Sequence, residues 1–183
     1  MDNKIHAIKL NHHSKEYEQA KHTLKTAFPK KEQSPLWVLN LFAKHQGVDF
    51  LSFYDEEDKY IGVSFSIHID NKLLILYLAV DESRRSHGFG SKIIKYLQDK
   101  DNITETVLDI ESPYEECDNK DERVGRFRFY EHLGFVSSNE EIVEPKCRYL
   151  ILGTNKESAV ETYIELSNKM SGGLYKLNIK KIN

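Results

Sequence analysis

The residues from Arg85 to Gly90, with the sequence RSHGFG, have the types and spacing needed to bind a phosphate. They follow an apolar run, Leu73 to Val80, and precede residues spaced as on a helix: Ser91, Ile93, Ile94 and Leu97. The first N–H groups of a helix have no partner inside the helix, and the helix dipole is positive there. Glycines keep side-chain atoms away from an approaching anion. The segment therefore predicts a pyrophosphate-binding turn between a strand and a helix.

Other glycine fingerprints are absent from the sequence. No GxGxxG follows the first predicted strand, which disfavours a Rossmann dinucleotide site. No GxxxxGK[ST] occurs, which disfavours a nucleotide hydrolase. A second group with chemical potential is the pair Asp109 and Glu111, which alternate with Leu108 and Ile110 so that both carboxylates face one side of a strand.

The elements that must position these residues follow from apolar periodicity and from turn residues. The predicted strands are 5–10, 48–54, 60–70, 72–80, 105–111, one opening at 135, 149–152 and 174–182. The predicted helices are 14–26 with Ser14 as its cap, one starting at Ser34-Pro35, 91–100, 123–133 and 157–170. This order predicts a mixed α/β sheet with helices on both faces.

Composition limits the class of protein. The 183 residues are 39% hydrophobic and 30% charged, with a formal net charge of −3, which fits one globular domain and predicts no nucleic-acid partner. No signal peptide or membrane-length apolar stretch occurs, so cytoplasmic location is the expectation. The cysteines, Cys117 and Cys147, form no CxxC pair, which predicts a reducing compartment and no zinc site, although a bridge between them stays open.

The chain resembles the GNAT superfamily of acyl-CoA N-acyltransferases at three places, in the family's order. Arg85 to Gly90 matches its Arg/Gln-x-x-Gly-x-Gly/Ala loop, a strand from Val107 to Glu111 follows, and Phe129 to Phe135 matches its aromatic-Tyr-x-x-x-Gly-Phe signature. The resemblance covers roughly residues 5–152. It implies one GNAT-like acetyltransferase domain over 1–183, with a mixed, largely antiparallel central sheet flanked by helices and a helix-and-strand extension at about 155–183.

The resemblance also implies a cosubstrate, acetyl-CoA, and an N-acetyltransferase activity without a metal. The pyrophosphate would bind the N–H groups of His87, Gly88, Phe89, Gly90 and Ser91, with Arg85 near the phosphates. The pantetheine arm would lie along the preceding strand, where Leu78, Ala79 and Val80 supply backbone groups. A backbone N–H near Leu78 or Ala79 would stabilise the oxyanion.

Two residues are predicted to be catalytic. Tyr130 is the predicted acid for the CoA thiolate, and the alternative is a core tyrosine on an amphipathic helix. Glu111 is the predicted base, directly or through water, and one alternative is an ordinary polar strand end. Glu115 and Glu116 in the following loop are alternative bases. The family pattern has an asparagine and a small residue where this chain has Arg123 and Arg126, for which exposed surface positions are slightly favoured over phosphate contacts.

The acceptor is expected to be a primary amine of a small molecule or peptide. The acidic loop from Ser112 to Glu122 would attract a cationic acceptor, although a merely solvated loop is the more ordinary interpretation. The segment Phe28 to Ser34 is a second candidate acceptor wall. An alternative function is a non-catalytic acyl-CoA-binding regulatory module, and another is an interaction domain. The last strand could pair with a second subunit in a homodimer or close its own sheet.

Overall fold

The structure is a computed structural model that describes residues 4–30, 32–172 and 177–182. Within these residues it contains eight β-strands and five α-helices, in the order β1 His6–Lys9, α1 Tyr17–Ala27, α2 Leu36–Phe42, β2 Val48–Tyr54, β3 Tyr60–Ile69, β4 Lys72–Val80, α3 Phe89–Lys100, β5 Glu105–Glu111, α4 Lys120–His132, β6 Val136–Glu144, β7 Cys147–Gly153, α5 Ala159–Ser171 and β8 Ile179–Lys181.

The contacts of the chain group into two compact units. The first comprises residues 4–68 and 75–102, and its strands follow the order β1-β2-β3-β4. The second comprises 69–74 and 103–182, and its strands follow the order β5-β7-β6-β8. The pairs β1–β2, β2–β3, β5–β7, β6–β7 and β6–β8 are antiparallel, so the predicted mixed, largely antiparallel α/β class is confirmed. The single-domain expectation stays a prediction.

The core of the first unit is built on β2, in which every residue is buried. Phe50 of β2 meets Phe65 of β3 edge to face, with ring centroids 5.6 Å apart. The strands β2 and β3 form a hairpin. At its turn, the Asp55 carboxylate accepts hydrogen bonds from the N–H groups of Glu57 and Lys59, at 3.0 and 2.9 Å. These bonds fix the turn between β2 and β3, since a short polar side chain satisfies the amides that the turn exposes.

The C-terminal end of α3 is attached to β2 by charges. Lys100 Nζ lies 2.8 Å from Asp49 Oδ2 of β2 and 2.9 Å from Asp101 Oδ2. His68 Nδ1 lies 3.8 and 3.7 Å from the same two carboxylate oxygens. Asp49 is buried, and the ammonium compensates the charge that burial would otherwise penalise.

The second unit closes its own sheet with the last strand. In β8, Lys181 pairs with Glu140 and Lys180 with Glu141, so β8 adds antiparallel to β6 of the same chain. Of the two alternatives for the last strand, the structure shows the one in which it closes the sheet of its own chain. The predicted strand 174–182 is shorter in the structure, and its residues 174–176 lie outside the described part. The helix α5 contacts β5 and β7, and its Tyr163 is buried.

Two sequence-based expectations about elements need correction. The helix α1 begins at Tyr17, and Ser14 does not cap it: Tyr17 N–H bonds the Ser14 backbone carbonyl, at 3.2 Å, in a preceding turn. The helix α4 begins at Lys120 instead of 123, because a polar first turn carries no apolar signal.

Both cysteines are free thiols, so the structure contains no bridge between Cys117 and Cys147. No described helix combines the length and apolarity that a membrane crossing requires.

A glycine on β3 permits a close approach of β4. A Cβ placed on Gly62 would lie 2.3 Å from the Ala79 carbonyl oxygen and 3.0 Å from Val80 Cα. Both contacts involve backbone atoms, which cannot move aside as a flexible side chain can. The position therefore requires glycine if β4 is to keep its path toward the turn at 85–90.

We expect Gly62→Ala to lower the free energy of unfolding by about 1–3 kcal/mol, because it overpacks a strand contact. Gly125→Ala is the matched control: Gly125 lies in α4, and a Cβ added there would have nothing within 4 Å, so the change is expected to stabilise by up to about 1 kcal/mol. Urea unfolding measures both. A neutral Gly62→Ala would show that β4 can shift away from β3.

Candidate functional site

The turn before α3 has the local geometry of an anion cradle. A 3-10 turn at Glu82–Arg84 follows Asp81, whose carboxylate accepts from the N–H and hydroxyl of Ser83, at 3.1 and 2.6 Å. The chain then passes through two residues with left-handed backbone angles, Ser86 at φ +64° and Gly88 at φ +75°. His87 Nδ1 donates to the Arg85 carbonyl at 2.6 Å, so its side chain is held within the turn.

The amides predicted to bind phosphate lie at the start of α3. The helix has Gly88 as its N-cap, and the Lys92 N–H bonds the Gly88 carbonyl at 3.3 Å. The N–H groups of Phe89, Gly90 and Ser91 precede this first intrahelical bond and point out of the helix end. A Cβ on Gly88 would have nothing within 4 Å, so the space in front of the turn is open to a ligand.

The two arginines of the turn have different surroundings. Arg84 forms an ion pair with Asp55 at the end of β2, and its Cζ lies 4.8 Å from the centre of the Phe89 ring. Arg85 is exposed, and its Nε donates to the Val80 carbonyl at 3.3 Å. The arginine matching the family motif, Arg85, is therefore the one at the surface of the turn, whereas Arg84 is engaged by protein groups.

The three residues predicted to contact pantetheine through their backbone groups lie at the end of β4. The Ala79 carbonyl faces the missing side chain of Gly62, and the Val80 carbonyl accepts from Arg85. Leu78 and Val80 are half-buried, and Ala79 is buried. Leu78, Ala79 and Val80 stay the predicted backbone partners of pantetheine.

A small pocket of about 20 Å³ lies in the same unit, beside Tyr77 of β4. The Tyr77 hydroxyl donates to the Glu32 carbonyl, at 2.7 Å, and accepts from the Ser34 N–H, at 3.0 Å. The Phe28 ring meets Tyr77 edge to face at 5.1 Å. The predicted acceptor wall, Phe28 to Ser34, is therefore fixed to the residue that precedes Leu78.

In the second unit, Glu111 is buried in a cluster of cations. Its Oε1 accepts from Arg123 Nη2 at 3.0 Å, and its Oε2 accepts from Asn119 Nδ2 at 3.3 Å. Arg126 Nη1 lies 3.6 Å from the same Oε2. The Cys147 thiol donates to Oε1 at 3.7 Å. The structure thus gives Glu111 a defined orientation at the end of β5.

Arg123 is not a solvated surface residue, and that expectation is wrong. Its side chain is 6% exposed, and it donates to Glu111 and, at 3.0 Å, to Glu115. Burial lowers the pKa of Arg123, but the Glu115 hydrogen bond and the Glu111 charge raise it overall. The sequence carries a signal for this position: Arg123 lies seven residues, two helical turns, before the inward-facing Tyr130.

Tyr130 lies on α4 among aromatic rings, 5.0 Å from Phe129 and 5.5 Å from Phe135 between centroids. Burial raises the pKa of the Tyr130 hydroxyl to about 12; the Arg126 charge opposes this, and the Asp109 charge adds to it. Asp109 accepts a hydrogen bond from the Tyr163 hydroxyl at 2.6 Å. Burial raises the pKa of Asp109 despite that hydrogen bond. The Asp109 carboxyl group therefore acts electrostatically on the Tyr130 hydroxyl, and burial raises the pKa of both groups.

The acidic loop is partly neutralised. Glu115 pairs with Arg123 and lies 3.9 Å from Arg148 Nε, and Glu116 pairs with Lys120. The remaining acids of the loop and of the first turn of α4 are exposed: Asp118, Asp121 and Glu122.

The family model of the acetyltransferase (GNAT) domain matches residues 46–137 of the chain. The chain belongs to the GNAT acetyltransferase family. The matched region contains the turn at 85–91 that is predicted to bind phosphate (the phosphate turn), together with β5 and Tyr130. No curated protein matches this GNAT protein in sequence.

Solved structures share the fold of this GNAT protein at low sequence identity. A protein from Bacteroides thetaiotaomicron assigned to the GNAT acetyltransferases has a TM-score of 0.74 at 17% identity, covering 93% of this chain and 99% of its own. The spermidine N-acetyltransferase of Vibrio cholerae, solved with CoA and spermine, has 0.62 at 12%, covering 85% and 98%. The ribosomal-protein-S18-alanine N-acetyltransferase of Escherichia coli has 0.58 at 14%, covering 82% and 92%.

The predicted site residues of this GNAT protein fall into two sets. The cofactor residues, from Leu78 to Ser91, lie together in the first unit. The predicted catalytic residues, Glu111 and Tyr130, lie in the second. Two residues that support these sets were not predicted: Asp55, which pairs with Arg84, and Arg123, which pairs with Glu111.

We expect Arg123→Met to lower the free energy of unfolding by about 3–5 kcal/mol, because it leaves the buried Glu111 carboxylate short of its main partner. The matched control is Arg126→Met, since Arg126 is 37% exposed and lies farther from Glu111, at 3.6 Å. Its expected loss is below about 1 kcal/mol. Urea unfolding at neutral pH compares them, and equal losses would contradict the role given to Arg123.

Proposed function

We propose that this GNAT protein transfers the acetyl group of acetyl-CoA to a primary amine. The observation that carries the proposal is the turn at 85–91, where left-handed residues and the first amides of α3 form an anion cradle at the family's phosphate motif. Backbone amides at a helix end bind pyrophosphate without a metal ion, because the dipole and the N–H groups act together.

The transfer is proposed as a direct attack on the thioester. The amine nitrogen bonds to the carbonyl carbon, the carbon–sulfur bond breaks, and its electron pair leaves with the sulfur. The nitrogen loses one proton to a base, and the thiolate gains one from an acid. A backbone N–H of β4, at Leu78, is the proposed donor to the carbonyl oxygen as it becomes negative.

Tyr130 is the proposed acid, and its environment supports this role. A buried hydroxyl with a pKa of about 12 keeps its proton throughout the neutral range, so it is available to a thiolate at every turnover. The ring contacts with Phe129 and Phe135 hold the phenol in one position. Donation by a group of such high pKa requires a hydrogen bond that exists before the proton moves.

Glu111 is the proposed base, directly or through water, with Asp109 as the competing carboxylate on the same strand. Arg123 and Arg126 lie beside the Glu111 carboxylate and compensate its negative charge. Asp109 has a raised pKa and therefore binds a proton more strongly. The two assignments predict different pH profiles.

The acceptor is proposed to be a small-molecule or peptide amine. Two of the structures that share this fold are named for acting on spermidine and on a ribosomal protein's alanine. The exposed acids Asp118, Asp121 and Glu122 favour a cationic amine, whereas the pairing of Glu115 and Glu116 removes part of the loop's charge. A panel of spermidine, an amino sugar, a lysine peptide and a neutral amine tests this, and preference for the neutral amine would contradict it.

Calorimetry with CoA and release of free thiol from acetyl-CoA over the amine panel test the proposed activity itself. Binding with turnover supports the transferase. Binding without turnover on any amine favours the alternative, a non-catalytic acyl-CoA-binding module. The absence of binding contradicts both and favours an interaction domain. Cytoplasmic location and a homodimer stay predictions.

We expect Tyr130→Phe to lower kcat by about 100-fold, since the ring remains and only the proton donor is lost. The dissociation constant for CoA should not change. Tyr96→Phe is the matched control, because Tyr96 lies on α3 with its ring edge against Phe53 and has no proposed role in proton transfer. Thiol release with the best amine of the panel gives kcat, and a wild-type value for Tyr130→Phe would remove the assignment.

We expect Glu111→Gln to lower kcat by about 100-fold and to remove the acidic limb of its pH profile, because a base must be deprotonated to act. Asp109→Asn should retain that limb. Thermal unfolding of both variants is needed beside the rates, since Glu111→Gln also weakens the Arg123 pair. If only Asp109→Asn loses the limb, and the wild-type limb lies above the ordinary carboxyl range, the base is Asp109.

A further inference from the structure

The hairpin between β2 and β3 is joined to the phosphate turn through one carboxylate. Asp55 Oδ1 accepts from the N–H groups of Glu57 and Lys59 within the hairpin, and Oδ2 accepts from Arg84 Nη2 of the turn. Asp55 is 9% exposed, so solvent screens the pair only weakly. One carboxylate oxygen therefore stabilises the hairpin turn, and the other binds Arg84.

Arg84 continues this connection to the first residue of α3. Its guanidinium lies 4.8 Å from the centre of the Phe89 ring, within the range of a cation–π contact. Phe89 is buried, and its own N–H belongs to the set predicted to hold the pyrophosphate. The series Asp55, Arg84 and Phe89 thus ends at the amides of the cradle.

The turn has few other side-chain constraints. Asp81 fixes its beginning through Ser83, Arg85 donates to the Val80 carbonyl, and His87 donates to the Arg85 carbonyl. The residues from Ser86 to Gly88 are exposed, and Ser86 and Gly88 have left-handed backbone angles. The spacing of N–H groups around a phosphate depends on the position of such a turn to within about 0.5 Å. A side chain that fixes the start of α3 therefore controls how well the amides converge.

We propose that Asp55 is a positioning residue for coenzyme binding, acting through Arg84 and Phe89 to hold the amides of the phosphate turn in place. The inference rests on the proposed use of this turn for CoA. It assigns to the hairpin of β2 and β3 a role in the affinity for coenzyme that requires no contact of Asp55 or Arg84 with the phosphates.

The charge state of Asp55 suits this role. Burial alone would raise the pKa of Asp55, but the hydrogen bonds from Lys59, Arg84 and Glu57 and the Arg84 charge lower it overall. A carboxyl whose pKa is lowered in the folded protein stays charged as the pH falls, until the pH reaches that lowered value. Coenzyme affinity should accordingly be constant across the neutral and mildly acidic range as far as this pair is concerned.

Asp55→Asn is the decisive variant, because two roles of Arg84 predict opposite signs. The amide oxygen can still accept from Glu57 and Lys59, so the hairpin keeps its bonds, but the charge that holds Arg84 is lost. If Arg84 helps to hold the phosphate turn in place, the dissociation constant for CoA rises by about tenfold. If Arg84 binds phosphate itself, its release from Asp55 leaves the affinity unchanged or improves it, which would overturn the proposal.

The kinetic readout separates positioning from general damage. The KM for acetyl-CoA should rise by about tenfold, while kcat at saturating acetyl-CoA and the KM for the amine stay near wild type. Arg84→Gln should show the same split, and the double variant should be no worse than the more impaired single variant, because both changes break one connection. Additive losses in the double variant would contradict a shared pathway.

Glu57→Gln is the matched control on the same hairpin. Glu57 is 72% exposed and pairs with the exposed Lys59 at 2.5 Å, so its loss should leave CoA affinity unchanged. Wild-type protein is titrated with CoA first. If it fails to bind, the proposed function fails; if it binds and Asp55→Asn binds equally, the function stands and only this inference is overturned.

Discussion

Charge compensation between helix α3 and strand β2 is the constraint on which the first unit depends. Lys100 at the last position of α3 pairs with Asp49 near the start of β2. Arg84, just before α3, pairs with Asp55 just after β2. Because each carboxylate is buried, losing its cation would be penalised by desolvation. The helix is thereby held at both ends, and the amides at its N-terminus keep a fixed orientation.

Buried charge is compensated in the second unit as well, but there one arginine pairs with two carboxylates. Glu111 and Glu115 bring negative charge to the end of β5 and the loop after it, and Arg123 lies between them. A buried arginine with two carboxylates orients side chains more than it stabilises the fold, since desolvation offsets most of the attraction. The same contacts that fix the position of Glu111 also occupy its carboxylate oxygens, which bears on its proposed role as a base.

The sequence determined much of the fold because apolar periodicity is strong in its strands. The bounds of β2, β4 and β5 follow from their runs of aliphatic and aromatic residues and agree with the structure. The helix α4 was harder, because its first turn, Lys120 to Arg123, is entirely charged and its buried arginine gives no hydrophobic signal. Ser14 failed as a cap because the chain forms a turn before α1 begins.

The site could be predicted only as far as local motifs reach. The phosphate turn combines glycine spacing, a strand and a helix start within a few residues, so its geometry is encoded locally. Asp55 was visible only as one of four acids at a hairpin tip, and nothing in the order of Asp55 to Asp58 indicates which one meets an arginine 29 residues away. Pairings of this kind depend on the register of β2 with β3, which a single sequence does not specify.

The short strand β8 has a consequence for how copies of this protein meet in a crowded solution. It covers the edge of β6 with three residues, two of them lysines, which face Glu140 and Glu141 across the pair. Lysines on a brief outer strand discourage another chain from extending a sheet, since incoming backbone would have to displace well-hydrated ammonium groups. This short polar strand thereby protects the edge of β6 against edge-to-edge aggregation.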